Sequence, residues 1–318
     1  MKKQKQTDYD YTLLQKMCAI AAPSGNEAPM TRFLLKYIEE NAGNWKVKPK
    51  VIHGGKWQDN IMLIFGEPRT AIFAHIDSIG FTVRYGHQLV KIGGPVTTGG
   101  IRLTGSDSHG SQVVGLVVKE NKKTGAKSLE YEGKRAFDRG TELTFKPNWR
   151  ETDEHVQCCY LDNRLGVFSA LKVAETLRDG AIVFSTWEEH GGGSVPYLQK
   201  YLYRKYGVRQ ALISDISWIS DGVFPGKGPV ISLRDSLIPR RSYVNRIIAL
   251  AAKHRCAYQL EVEGAGGSDA RELQMSDNPW DWCFVGAAEE HVHSPDEKVN
   301  KRDIGGMVRL YEVLMREL

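Results

Sequence analysis

Strand-like and helix-like segments alternate along this chain except between residues 81 and 156, and that interruption constrains its fold most. Before it, Leu13 to Ala22 carries apolar residues at helical spacing, and Pro23-Ser24-Gly25 stops the run. Ser24 with Glu27 has the form of a capping box, predicting a second helix through about Glu40. Apolar runs at Ile61 to Phe65 and Ala71 to Ile76, separated by Gly66-Glu67-Pro68, predict strands. Inside the interruption glycine recurs, as at Gly93-Gly94 and Gly99-Gly100, and runs such as Val113 to Lys119 are short, which is the texture of a small sheet or barrel. Afterwards the alternation resumes. Helices are expected over 163–178, near 194–206, over 241–254 and from Arg302, with strands over Ala181 to Thr186 and Ala211 to Asp215. The pattern predicts an α/β domain, a mixed sheet with helices on both faces, formed by residues 1–80 and 157–318. A smaller β-rich domain is expected to be inserted at 81–156.

Composition excludes several classes. With 318 residues, 41% hydrophobic and 25% charged, the chain can bury a large core without disulfides or a structural metal. A metal in such a chain would serve chemistry. The net charge of +5 is spread thinly, and the one dense basic run, Met1-Lys2-Lys3-Gln4-Lys5, reads as a solvated tail, so no nucleic-acid partner is expected. Mean hydropathy is −0.38 and no apolar window is long enough to cross a bilayer, so no membrane partner is expected either. Thr7-Asp8-Tyr9-Asp10 follows the basic start in place of an apolar signal segment. Five cysteines (Cys18, Cys158, Cys159, Cys256 and Cys283) form no disulfide framework, with Cys158 and Cys159 expected on opposite faces of a strand. A cytoplasmic protein is the expectation.

Ligands of α/β sheets gather at the carboxyl ends of strands, and acids and histidines cluster there in this chain. Five places stand out: His75-Ile76-Asp77, Leu161-Asp162-Asn163-Arg164, Glu188-Glu189-His190 with Gly191-Gly192-Gly193 behind it, Ser214-Asp215, and His291-Val292-His293. Taken singly, each has a plain reading as a core histidine, a helix cap or an acidic turn. Two apart on a strand, His75 and Asp77 share a face, so Asp77 can hold one imidazole nitrogen while the other binds metal. Glu188 and Glu189 are neighbours, which suits a division of labour between metal ligand and proton acceptor better than the paired carboxylates of a glycosidase. His75, His293, Asp162, Asp215 and one glutamate give two neutral and three anionic ligands. With one hydroxide they balance two divalent ions.

In this order the motifs resemble metallopeptidase family M forty-two, the glutamyl and deblocking aminopeptidases that include the tetrahedral enzymes and proteins once labelled endoglucanase-like. The likeness runs from Pro23-Ser24-Gly25-Asn26-Glu27 through Ala74-His75-Ile76-Asp77, Leu161 to Gly166 and Glu188-Glu189-His190-Gly191. It continues in Gly226-Lys227-Gly228-Pro229 and Gly267-Ser268-Asp269-Ala270, and ends in His293-Ser294-Pro295-Asp296-Glu297. The resemblance implies a zinc-peptidase-like fold and two divalent ions, zinc with cobalt as substitute. Asp162 would bridge the ions, with His75 and Asp215 on one side and Glu189 and His293 on the other. Glu188 would be the general base and Asp77 would orient His75. It further implies peptide substrates with a free N-terminus, and a homo-oligomer. Two departures mark this chain: Ser78 stands where the family carries glutamate, and Glu289-Glu290-His291-Val292 replaces the usual Arg-Tyr before the last histidine. His291 competes with His293 as ligand, since two apart on a strand they would share a face. The motif context favours His293.

Three functions are compatible with these residues: a dimetal aminopeptidase, with glutamyl specificity if a cation lines its pocket; a deacylase of N-acyl amino acids; and a metal-stabilised peptide-binding protein without catalysis. Glu188, dispensable for binding alone, argues against the last.

Overall fold

The computed structural model describes residues 9–318; the basic run Met1 to Lys5 and the Thr7-Asp8 pair lie outside them. Helices α1 (Thr12–Cys18) and α2 (Ala28–Asn41) precede strands β1 (Lys50–His53), β2 (Ile61–Phe65) and β3 (Thr70–His75). The predicted capping box is not formed. Glu27 itself is the N-cap of α2, and both acid and serine are drawn toward the loops beside β3.

Six strands then close a barrel in the order β4-β5-β8-β7-β6-β9: β4 (Gly80–Val83), β5 (Gln88–Ile92), β6 (Arg102–Asp107), β7 (Gly110–Glu120), β8 (Lys127–Glu132) and β9 (Glu142–Phe145). Phe81 and Phe145 meet edge to face in its interior, 6.1 Å between centroids. β10 (Arg150–Glu151) and β11 (His155–Gln157) already pair in the large sheet, β11 against β17 (Lys298–Asn300). We therefore propose 80–145 as the extent of the inserted domain. Cys158 and Cys159 follow β11 in a turn, outside any strand.

The rest of the chain supplies α3 (Leu161–Ala174), β12 (Gly180–Ser185), α4 (Val195–Tyr206), β13 (Gln210–Trp218), β14 (Val230–Arg234), α5 (Arg241–Lys253), β15 (Gln259–Val262), α6 (Ala270–Gln274), β16 (Asp281–Glu290) and α7 (Lys301–Glu317). The eleven-stranded mixed sheet runs β1-β2-β12-β3-β13-β16-β17-β11-β10, with β14 joining β16 to β15. Its centre, β12, β3, β13 and β16, is parallel. Every residue of β3 and β12 is buried, because helices cover both faces. Ile72 and Ala74 of β3 point to the layer of α1, α2, α3, α5 and α7; Ala71 and Phe73 point to α4 and α6. Among the described residues no helix is long and apolar enough to cross a membrane.

Candidate metal centre and active-site cleft

The parallel strands bring their carboxyl ends to one edge. Ser185 of β12 stands opposite His75 of β3, and Ile213 of β13 opposite Phe73, so Asp215 lies level with His75. Asp162 arrives at the start of α3, whose close seat on β13 depends on Gly166: a Cβ there would sit 2.1 Å from the Ser214 carbonyl. Asn163 fastens the same turn, its Nδ2 donating to Ser214 O at 2.8 Å and its Oδ1 accepting from Gly166 N at 3.0 Å. The peptide bond between Asp162 and Asn163 is cis. Arg164, wholly buried, donates to the carbonyls of Ile76 and Asp77 and so ties α3 to the end of β3.

Glu188 and Glu189 sit on a loop after β12, not on a continuing strand. The loop is pinched shut by Ser194 N to Thr186 O at 3.1 Å. Gly193 has φ +64°, and its Cβ would lie 2.8 Å from that same Thr186 carbonyl. The turn lets both carboxylates face the cleft.

Asp77, completely buried just past the end of β3, organises this loop. Its Oδ1 accepts from Glu188 N and its Oδ2 from Glu189 N, both at 3.1 Å, and Ser24 Oγ donates to Oδ2 at 2.6 Å. His75 Nδ1 lies 3.4 Å from Oδ1, close enough for charge to act but without hydrogen-bond geometry. That acceptor faces Nδ1 and leaves Nε2 pointing into the cleft.

His293 and His291 fall in a turn after β16, both with positive φ, so they share no face of a strand. His293 Nδ1 lies 3.2 Å from the Gly94 carbonyl, an acceptor only, which makes Nδ1 the donor and leaves Nε2 facing the cleft. Gly94 belongs to the loop between β5 and β6, so the barrel holds one of the two histidines. A Cβ at Gly94 would approach His293 Nδ1 to 3.2 Å. His291 is exposed and lines an adjoining hollow that shares Gly94, Trp218 and His293 with the cleft.

The two oxygens of Asp162 face different partners. Oδ1 is 3.2 Å from His75 Nε2, and Oδ2 is 3.3 Å from His293 Nε2. Asp215 Oδ2 lies 3.6 Å from His75 Nε2, and Glu189 Oε2 lies 3.3 Å from His293 Nε2. His75, Asp162 and Asp215 form one cluster of metal-ligand type; Asp162, Glu189 and His293 form the other. Glu188 belongs to neither, its Oε2 3.9 Å from His75 Nε2.

The donor set fits divalent cations. Asp162 Oδ1 and Glu189 Oε1 are buried with no hydrogen-bond partner, a costly condition unless a cation faces them. Burial, and then the negative charge of Asp162, drive the carboxyls of Glu189 and Asp215 well above the usual range. Glu188 is pushed up to about 8, by burial first and then by Asp269 and Asp77 against the opposing pull of His75. Burial alone would lower the His75 pKa, but Asp215, Asp162 and Asp77 carry it well above the ordinary imidazole value. So many acids crowded together lack positive charge, and two imidazoles with three carboxylates suit zinc or a similar ion.

The family model of M42 glutamyl aminopeptidases matches residues 123–310, more than half of the chain. The chain belongs to that family. It is a hydrolase of peptide bonds. A lysyl aminopeptidase of Pyrococcus furiosus is 24% identical over 79% of this chain and 82% of its own length. Among solved structures, the aminopeptidase APDkam598 of Desulfurococcus kamchatkensis is 20% identical with a TM-score of 0.83, covering 96% of this chain and 94% of that one. The TET1 peptidase of Pyrococcus horikoshii, described as assembling into a tetrahedron or a large octahedral shell, is 22% identical with a TM-score of 0.78, covering 96% and 98%. These likenesses establish the shared fold.

Within this M42 chain, the first of the two departures takes a structural post. Ser78 is buried and its Oγ donates to the Ala22 carbonyl at 3.3 Å. Glu289 is buried at the end of β16 beside the His291 hollow. Sequence reasoning assigned no role to Asn163, Arg164 or Glu297, and gave Ser24 only that of a helix cap. Glu297 Oε2 accepts from Asp162 N at 3.2 Å. The available signal was their place inside the quoted motifs, but each acts through a contact distant in sequence, Ser24 to the Asp77 carboxylate and the other three to backbone groups.

Proposed function

We propose that this chain is a dinuclear metal-dependent aminopeptidase, and the observation that carries the reading is the division of Asp162 between two histidine-bearing clusters. His75, Asp162 and Asp215 would hold one ion, and Asp162, Glu189 and His293 the other. The chemistry divalent ions supply in such a place is polarisation of a carbonyl and a lowered pKa for water. Glu188 is placed to act as general base. It stands beside the clusters without belonging to either, where an ionised carboxylate would accept a proton from water and return it to the leaving amine. Asp77 positions His75 and, through its two backbone contacts, the Glu188–Glu189 turn. Zinc fits the ligand types, with cobalt as a working substitute. The resemblance to tetrahedral enzymes favours a homo-oligomer, and the absence of a disulfide framework favours a cytoplasmic site of action. Among the described residues no lysine or arginine lines the cleft, so nothing in that lining supports glutamyl specificity.

The test is amino-acid release from matched peptides with free and N-acetylated termini, with and without a chelator. Chelator-sensitive release from the free-amine set is expected. Release from the acetylated set alone would replace the reading with a deacylase.

A further inference from the structure

The cleft, about 280 Å³, extends from the two clusters to a wall supplied by β15 and the residues just past β14 and β15. On that wall stand Asp235, Glu261 and Glu263, flanked by Trp218 and Phe284. That the cleft takes a ligand follows from Asp162 in its lining, which is only 7% exposed and has an oxygen without a hydrogen-bond partner. The wall then decides which ligand.

Strand β15 is built against the ordinary rule for a sheet edge. Glu261 is 7% exposed, while its neighbours Leu260 and Val262 are 42% and 64% exposed. Alternation along a strand puts Glu261 and Glu263 on one side, and here that side is the cleft. Folding alone would turn the valine and leucine inward, since burying a carboxylate is costly and burying either aliphatic is favourable. Asp235, one residue past β14, is 8% exposed. Backbone and hydroxyl contacts orient these acids: Asp235 Oδ1 accepts from Leu237 N at 2.6 Å, and Glu261 accepts from Ser217 Oγ. Arg234, the cation adjacent in sequence, donates its Nε to the carbonyls of Asp235 and Glu263, both at 3.1 Å, and does not line the cleft.

We infer that Asp235, Glu261 and Glu263 form the pocket for the substrate's first side chain and select a cationic one, lysine or arginine. The inference rests on the aminopeptidase reading and deepens it. Trp218 and Phe284 offer apolar surface to the methylene stem, and the carboxylates meet the charged tip. A glutamyl side chain would face three like charges in the same space.

The experiment compares kcat/KM of the metal-loaded enzyme on lysyl, arginyl, norleucyl, leucyl and glutamyl anilides. Norleucine has the unbranched aliphatic stem of lysine without the ammonium. The wild type is expected to prefer lysyl and arginyl over norleucyl substrate by about tenfold or more. In Asp235→Asn, and separately in Glu263→Gln, the lysyl-to-norleucyl ratio should fall about tenfold. Glu263 is half-buried, so its variant serves if the Asp235 variant fails to fold. Preference for leucyl or glutamyl substrate overturns the inference. So does an equal loss on lysyl and norleucyl substrates, because the acids would then hold the α-ammonium. Should no anilide be hydrolysed, the aminopeptidase reading fails on its own, and calorimetry decides the pocket. Tighter binding of L-lysinamide than L-norleucinamide to Glu188→Gln protein would sustain it, and equal binding would overturn it.

Discussion

Replacing Asp77 with asparagine tests how the centre is held together. The side chain accepts three hydrogen bonds, from Glu188 N, Glu189 N and Ser24 Oγ, and faces His75 Nδ1. An amide has one acceptor end. With its oxygen at the Oδ1 position it keeps Glu188 N and His75, and its NH₂ then opposes Glu189 N while Ser24 can turn to accept. With the amide reversed, two donors are opposed instead of one, so the first orientation wins. One buried backbone N–H is left unpaired, which costs about 1–3 kcal/mol. In thermal denaturation of the metal-free protein this corresponds to a fall in Tm of about 1.5–4.5 °C, at about 2.1 cal/mol/K of unfolding entropy per residue. His75 also loses the negative charge that favours its Nδ1–H form, and such outer partners are worth about 10- to 100-fold in metal affinity or activity. Zinc titration against a competing chelator should therefore show affinity reduced by that factor, with a parallel drop in turnover. An Asp77→Asn protein with wild-type zinc affinity and wild-type turnover would refute the orienting role.

Other substitutions separate chemistry from architecture. Glu188→Gln should retain metal and lose about 10²- to 10⁴-fold in kcat, read by anilide hydrolysis; full activity would remove Glu188 as the base. Gly166→Ala drives a methyl into the Ser214 carbonyl and Asn163 Oδ1 (2.2 Å), so destabilisation of about 1–3 kcal/mol or more is expected by urea denaturation. Gly193→Ala combines a backbone clash with positive φ at the neck of the glutamate loop. Loss of turnover should exceed what the change in Tm accounts for, and an active variant would show that the loop does not need that turn.

The fold was largely readable because its central strands are short apolar runs between turns. Ile61 to Phe65 is β2 residue for residue, and α4 and α5 fall within a residue or so of their expected ends. β15 gave no such signal, because its aliphatic residues are the exposed ones. β16 carries a buried apolar run, Trp282 to Ala288, that the sequence reading did not single out. The site was readable as a list of residue types at strand ends. What could not be read was which atoms meet. Ser24 and Glu27 look like a local cap, yet Ser24 reaches Asp77 across 53 residues and Glu27 binds the N–H groups of Gly25 and Trp187. His293 owes its orientation to Gly94, a residue 199 positions away in the barrel. Such contacts depend on tertiary placement, which no local pattern encodes.

In the proposed centre one carboxylate, Asp162, joins two cation sites. The direct measurement is metal content per chain for wild type and Asp162→Ala, by elemental analysis after zinc loading and gel filtration, with circular dichroism to confirm folding. Two ions per wild-type chain and loss of both in the folded variant are expected. A folded Asp162→Ala protein that still carries two ions per chain would contradict the bridging arrangement.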